Sequence, residues 1–290
     1  MKLLERLDAW EKLMRLDKPI GILLLLWPTL WGLWFASGGL PDMWVLWIFV
    51  MGTVLMRSAG CVINDWADRG FDGHVSRTRN RPLVNGLVKP REALYLAAGL
   101  ALIAFLLILP LNCLVIWLSI PAVLLAASYP FTKRFLAIPQ AYLGVAFGFG
   151  IPMGFAAMQG EVPALAWWLL LANVFWAVAY DTEYAMVDRE DDLKIGIRTS
   201  AITFGKYDLV AVAFCYVMFL GLMAWIGLQA GCGGVYFAGL GGALLLAAQH
   251  VWQIRERDPA TCFQAFLNNN WLGAVVFAGL AVDYWRRGGL

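Results

Sequence analysis

The chain has 290 residues, 61% of them hydrophobic and only 14% charged, with 15 Trp and 29 Gly. A soluble domain of this size carries about 25% charged residues, so the composition excludes one and suits packed membrane helices with aromatic belts. The net charge of +2 is uninformative as a total, but its distribution along the chain is not.

Residues 1–18 are charged and amphipathic. Leu3, Leu7, Trp10 and Met14 share one helical face, with Lys2, Glu5, Arg6, Glu11 and Lys12 around it, which predicts a short interfacial helix. The charged start is too long for the n-region of a cleaved signal peptide. Apolar runs then follow at 19–37, 43–63, 93–110, 112–128, 138–159, 163–180, 208–227, 233–254 and 269–285. Each is near the roughly 20 residues that cross a bilayer. Only Pro110-Leu111-Asn112 separates the third and fourth runs. A kink there would leave eight spans; a tight turn gives nine, which suits their combined length better. The expectation is an all-α polytopic membrane protein of about nine spans, forming a single domain over residues 1–290.

Nine spans put alternate loops on opposite sides. All but three (Arg57, Arg286 and Arg287) of the 22 Lys and Arg residues fall on the N-terminal segment and the loops of its side. The positive-inside rule places the N-terminus and all the long loops in the cytoplasm.

Two acidic clusters lie on that face. The first runs from Asn64-Asp65 through Asp68 to Asp72; the second holds Asp181, Glu183, Asp188, Glu190, Asp191 and Asp192. Carboxylates at the edge of hydrocarbon are costly, and their presence is a functional signal. Helical spacing puts Arg57, Asn64, Asp68 and Asp72 on one stripe of the second span, with Gly70 a point of interruption. Asp181, Asp188 and Asp192 share a face if the sixth span continues as helix. If the two spans meet, five carboxylates converge on one cavity and would repel one another. Divalent cations resolve that conflict; Mg²⁺ takes one or two carboxylates, with water and phosphate oxygens completing its shell. The basic residues fit a diphosphate: Arg77, Arg79 and Arg81 follow the first cluster, Lys133 and Arg134 follow the fourth span, and Lys194 and Arg198 follow the second cluster. Some of these also serve as ordinary positive-inside anchors. Arg57 lies about two turns inside the second span and needs a partner, either a structural salt bridge or a ligand carboxylate held deeper than the diphosphate.

Other chemistries lack their residues. The five cysteines are odd in number and form no C-x-x-C pair, and His74 and His250 are far apart, so no disulfide framework, zinc site or histidine metal site is indicated. No Walker-type Gly-rich loop or nucleophile elbow is present. A parallel duplication of four spans would explain why Asp68 and Asp72 match Asp188 and Asp192 at one offset.

The stretch Gly60-Cys61-Val62-Ile63-Asn64-Asp65, through Asp68 and Asp72 to Arg77-Thr78-Arg79-Asn80-Arg81-Pro82-Leu83, resembles the first motif of the UbiA superfamily of membrane prenyltransferases. Asp181-Thr182-Glu183-Tyr184-Ala185-Met186-Val187-Asp188, with the following Lys194-Ile195-Gly196-Ile197 and Thr199-Ser200-Ala201-Ile202, resembles the second. Its form is closest to the 4-hydroxybenzoate polyprenyltransferases. Tyr129 and Lys133 match the Y-x-x-x-K element, and Arg15-Leu16-Asp17-Lys18-Pro19-Ile20-Gly21 is similar to that subfamily's N-terminus.

The resemblance implies nine helices around a central cavity and Mg²⁺-dependent transfer of a polyprenyl chain to the ring carbon ortho to the hydroxyl of 4-hydroxybenzoate, in ubiquinone biosynthesis. Asp68, Asp72, Asp188 and Asp192 would hold the metal, with Asn64 and Asp181 assisting; Arg77, Arg81, Lys133 and Arg198 would meet the diphosphate. Arg57 would orient the benzoate carboxylate, and Asp181, with Tyr129 and Lys133, would complete the catalytic set. The expected partners are polyprenyl diphosphate, 4-hydroxybenzoate and the lipid bilayer of a bacterial inner membrane, with no nucleic acid and no obligate protein partner. Rival readings are another aromatic acceptor, an ion-coupled transporter, whose acids would sit nearer the midplane, and a CDP-alcohol phosphotransferase, whose motif Asp72-Gly73 begins but does not continue.

Overall fold

The computed structural model describes residues 3–70, 72–74 and 78–288. Among them there is no strand, and nine helical segments are long and apolar enough to cross a membrane. The helices are α1 (Leu3–Met14), α2 (Ile20–Ser37), α3 (Met43–Asp68), α4 (Pro90–Ile108), α5 (Cys113–Thr132), α6 (Pro139–Gly148), α7 (Gly150–Gln159), α8 (Ala164–Val187), α9 (Arg189–Ile195), α10 (Ser200–Phe204), α11 (Asp208–Gln229), α12 (Gly234–Gln253) and α13 (Pro259–Arg286). The pair α6 and α7 forms one span broken at Phe149, and α10 leads into α11.

Local chemistry sets several boundaries. Asp42 caps α3, accepting from the backbone N–H groups of Trp44 and Val45. Asn112 caps α5 by accepting from the Val115 N–H at 3.1 Å, and its amide donates to the Ala156 carbonyl at the far end of α7. That cap resolves the alternative of eight spans: residues 109–112 are a turn between two helices, not a kink in one. Asp258 caps α13 through the Thr261 N–H.

The ninth span therefore starts at Pro259, ten residues before the apolar run that the sequence marks. The polar residues that hide this start point inward. Asn269 accepts from Trp176 Nε1 and donates to Glu183, and Asn270 accepts from Trp27 Nε1. Tyr216 joins Asn269 and Glu183 at 2.9 and 2.8 Å, and His250 Nδ1 lies 3.2 Å from the Tyr216 hydroxyl. In this network the buried carboxylate and the Asn269 amide are each partnered, as burial away from water requires.

Trp31, Trp176 and Phe219 stack at the centre of the main core, with Trp31 5.2 Å from Trp176 and Phe219 5.8 Å from Trp176. Where α12 and α13 cross, Gly239 and Gly279 face each other so closely that a Cβ on either would come within 3.0 Å of the other's Cα. Small residues of this kind let membrane helices approach through their backbones.

A second, smaller core caps the end of the bundle that carries the acidic clusters. Ala9 and Leu13 of α1 are buried against Val62, Leu83, Val88 and Ala93, while Trp10 and Met14 pack on its edge. Leu4 and Leu7 stay exposed. The face expected to lie on lipid is thus shared between the protein and its surroundings.

Candidate active site

Arg57, Asn64 and Asp68 lie on one stripe of α3, seven and four residues apart. Asp68 ends the helix, and the chain turns at Arg69-Gly70. Asp72 therefore leaves the stripe and sits in a short 3₁₀ turn (Asp72–His74). Arg81 brings it back: its Nη1 lies 2.6 Å from Asp72 Oδ2 and 3.1 Å from Asp65 Oδ1. The Thr78 hydroxyl also donates to the Asp72 carbonyl at 2.8 Å. Burial pushes the Asp72 carboxyl above its ordinary value, opposed by the Arg81 guanidinium.

The other two acids of this cluster are also held by cations. Arg15, at the end of α1, donates to both oxygens of Asp65 at 2.9 and 3.2 Å. Lys133 at the C-terminus of α5 pairs with Asp68 Oδ2, while Asp68 Oδ1 is buried with no hydrogen-bond partner.

The second cluster differs from its expected form. The sixth span does not run on as one helix through Asp192. It ends at Val187, and Asp188 (φ −98°, ψ 6°) is both the last cap of α8 and the first of α9. Asp192 nevertheless donates its N–H to the Asp188 carbonyl at 2.9 Å, so the four-residue register survives the break. Glu183 points away from this site into the core network.

Asp68, Asp72, Asp181, Asp188 and Asp192 all line one cavity of roughly 1430 Å³, together with Asn64, Arg81, Tyr129, Lys133 and Arg198. The five carboxylates expected from spacing thus share one cavity. Among the described residues, however, no three His, Cys, Asp or Glu side chains close on a point to hold a metal by themselves. Arg15, Arg81 and Lys133 instead neutralise the first cluster. The orphaned Asp68 oxygen and an all-oxygen donor set suit a hard divalent cation that keeps several ligand positions for water and phosphate.

Arg57 lines the deeper part of this cavity. Its Nε and Nη1 are buried without a hydrogen-bond partner, and none of the ion pairs among the described residues includes it. The structural salt bridge considered from sequence is therefore not formed. The Tyr180 hydroxyl, which the sequence did not single out, is also buried, unpartnered and on a residue that lines the cavity.

The remaining basic residues divide. Arg198 is exposed and spends one nitrogen on the Phe135 carbonyl at 2.8 Å. Lys194 pairs with Asp191 on the surface, and neither it nor Arg79 lines the cavity. Arg77 lies outside the described residues. The role of Arg15 and Asp65 as one junction between α1 and α3 was not legible, because the sequence gives no spacing that links positions 15 and 65.

The cavity is apolar on its α4 and α5 side. Phe105, Ile120, Val123 and Leu124 line it, and each is exposed. On that side the wall is apolar surface of two helices long enough to cross a membrane.

Residues 25–274 match the model of the UbiA prenyltransferase family. The chain is 70% identical to a 4-hydroxybenzoate octaprenyltransferase of Azoarcus sp., covering 98% of this chain and 99% of that protein. It is 68% identical to a protein of the same name from Thiobacillus denitrificans, covering 100% and 99%. Among solved structures, the apo form of a UbiA homologue from Aeropyrum pernix K1 superposes with a TM-score of 0.81 at 25% identity, covering 90% of this chain and 97% of that one. A UbiA homologue from Archaeoglobus fulgidus, solved with GPP and Mg²⁺ bound, gives a TM-score of 0.72 at 19% identity, covering 96% and 99%.

Proposed function

We propose, from the premise that the chain belongs to the UbiA prenyltransferase family, that it transfers a polyprenyl chain from polyprenyl diphosphate to the ring carbon ortho to the hydroxyl of 4-hydroxybenzoate, in ubiquinone biosynthesis. It is an aromatic prenyltransferase with nine membrane-crossing helical segments among its described residues. The tail it transfers is octaprenyl, by likeness to the relatives named for that group. It resides in a bacterial inner membrane with the acidic clusters facing the cytoplasm, a reading supported by the one-sided distribution of Lys and Arg.

The observation that carries this reading is the pairing of two environments in one cavity: a group of carboxylates and cations, and the guanidinium of Arg57, whose Nε and Nη1 are buried without a partner. Asp68, Asp72, Asp188 and Asp192, with Asn64, would hold Mg²⁺. When bound, Mg²⁺ screens the diphosphate and stabilises the charge it gains on departure. Arg77, Arg81 and Lys133 share that charge, with Arg198 at the rim. Interactions that strengthen as the ester bond breaks are those that raise the rate. Arg57 receives the benzoate carboxylate and turns the ring toward the allylic carbon. Tyr129 and Asp181 line the same cavity, where Asp181 accepts the proton released when the ring regains aromaticity. The exposed apolar wall at Phe105, Ile120 and Leu124 gives the tail a route into lipid.

The test is a transfer assay with purified protein, an allylic diphosphate and a panel of phenolic acids, with and without Mg²⁺. Prenylated 4-hydroxybenzoate and released diphosphate, both Mg²⁺-dependent, are expected. Transport of solute without diphosphate release would instead support the rival class.

A further inference from the structure

Gly21 is the second residue of α2, and its Cα faces the guanidinium of Arg57 on α3. A Cβ at position 21 would fall 2.8 Å from both Cζ and Nε of Arg57 and closer still to Nη2. Optimal carbon contacts lie near 3.5–4.0 Å, so Arg57 occupies space that only glycine leaves free. Nε and Nη1 of the guanidinium have no hydrogen-bond partner, and no carboxylate pairs with it among the described residues. Its placement is set by shape. Gly21 and Arg57 line the same cavity as the acidic clusters.

We propose that Gly21 is a positioning residue that sets where Arg57 presents its charged fork, and thereby selects acceptors that carry a carboxylate. This rests on the reading that Arg57 receives the acceptor carboxylate. The groups that a Cβ would strike belong to the tip of a flexible side chain beside open cavity, not to backbone. Gly21→Ala therefore moves the guanidinium and leaves the helices in place. Alanine also favours helix over glycine at such a position.

Four proteins separate the cases: the parent, Gly21→Ala, Arg57→Ala and the double variant, each purified and assayed with an allylic diphosphate and Mg²⁺. Three readouts are taken: the KM for 4-hydroxybenzoate, the KM for the allylic diphosphate, and inhibition by 4-hydroxybenzamide, which keeps the ring and hydroxyl but carries no charge. Gly21→Ala is expected to raise the KM for 4-hydroxybenzoate about tenfold, the scale of one lost hydrogen bond to a charged group. It should leave the KM for the allylic diphosphate and inhibition by the amide unchanged. Added to Arg57→Ala, it should have no further effect, because its action runs through that side chain. An unchanged KM in Gly21→Ala, beside a raised one in Arg57→Ala, overturns the role of Gly21 alone. The same holds if the Gly21→Ala effect persists in full when Arg57 is absent. If Arg57→Ala itself leaves the KM for 4-hydroxybenzoate unchanged, the carboxylate reading falls and takes this proposal with it.

Discussion

Lys133, at the C-terminus of α5, is paired with Asp68, the last residue of α3, across the mouth of the cavity. The pair brings an acid of the first motif to a cation 65 positions along the chain. Lys133 thus neutralises a carboxylate in the free protein, and on the proposed function it would share the charge of the diphosphate when substrate binds. Lys133→Ala is expected to lower kcat/KM for the prenyl diphosphate by about 10²-fold, the scale of one strong charge-assisted contact. Lys133→Arg should recover part of that loss. Initial rates with the diphosphate varied at saturating 4-hydroxybenzoate decide the matter.

Asp68→Asn and Asp188→Asn should each reduce turnover by roughly 10²–10³-fold, as removal of one preorganised electrostatic group commonly does. Near-normal turnover in both would refute their metal role. Chelation with EDTA should stop transfer reversibly while the melting temperature stays unchanged. The reason is that Arg15, Arg81 and Lys133 already balance the first cluster without a metal.

Arg57→Ala should raise the KM for 4-hydroxybenzoate far more than that for the prenyl diphosphate. Equal effects on both substrates would point to general damage at α3 instead. Steady-state kinetics with each substrate varied in turn distinguishes these outcomes.

Asp208 has a structural role away from the cavity. It is fully buried and accepts from Arg257 at 2.6 Å and from Arg189 at 3.2 Å, joining the start of α9, the start of α11 and the turn before α13. Asp208→Ala leaves two cations without their shared acceptor, at a cost of about 3 kcal/mol. A fall in melting temperature of roughly 5–10 °C follows from that cost. Specific activity at low temperature should be retained, since none of the three residues lines the cavity. Thermal denaturation in detergent, with activity measured on the same preparation, tests both halves.

Much of this arrangement was legible in the chain. Carboxylates at the ends of apolar runs, and the spacing of Arg57, Asn64 and Asp68, are local properties that a helical wheel reports directly. What was hidden depends on contacts distant in sequence. The start of α13 reads as loop because Asn268, Asn269 and Asn270 are polar, yet two of these amides are satisfied by Trp27, Trp176 and Glu183 on other helices. The break at Asp188 has no glycine or proline to announce it. Asp72 left its stripe once the helix ended at Asp68, and Arg81, nine residues on, holds it at the site. Periodicity describes a residue's own helix; it is silent about which partner will come to it.

The proposed route for the tail past Phe105, Ile120 and Leu124 has a kinetic consequence. One substrate would reach the enzyme through water and the other through the plane of the bilayer. The relevant concentration of the lipid substrate is then its mole fraction among the surrounding lipids, not its amount per volume. Diluting the membrane with inert lipid should slow the reaction even when every bulk concentration is held constant. Because the product keeps its long tail, it returns to the same two-dimensional pool and competes with the next donor along that same route.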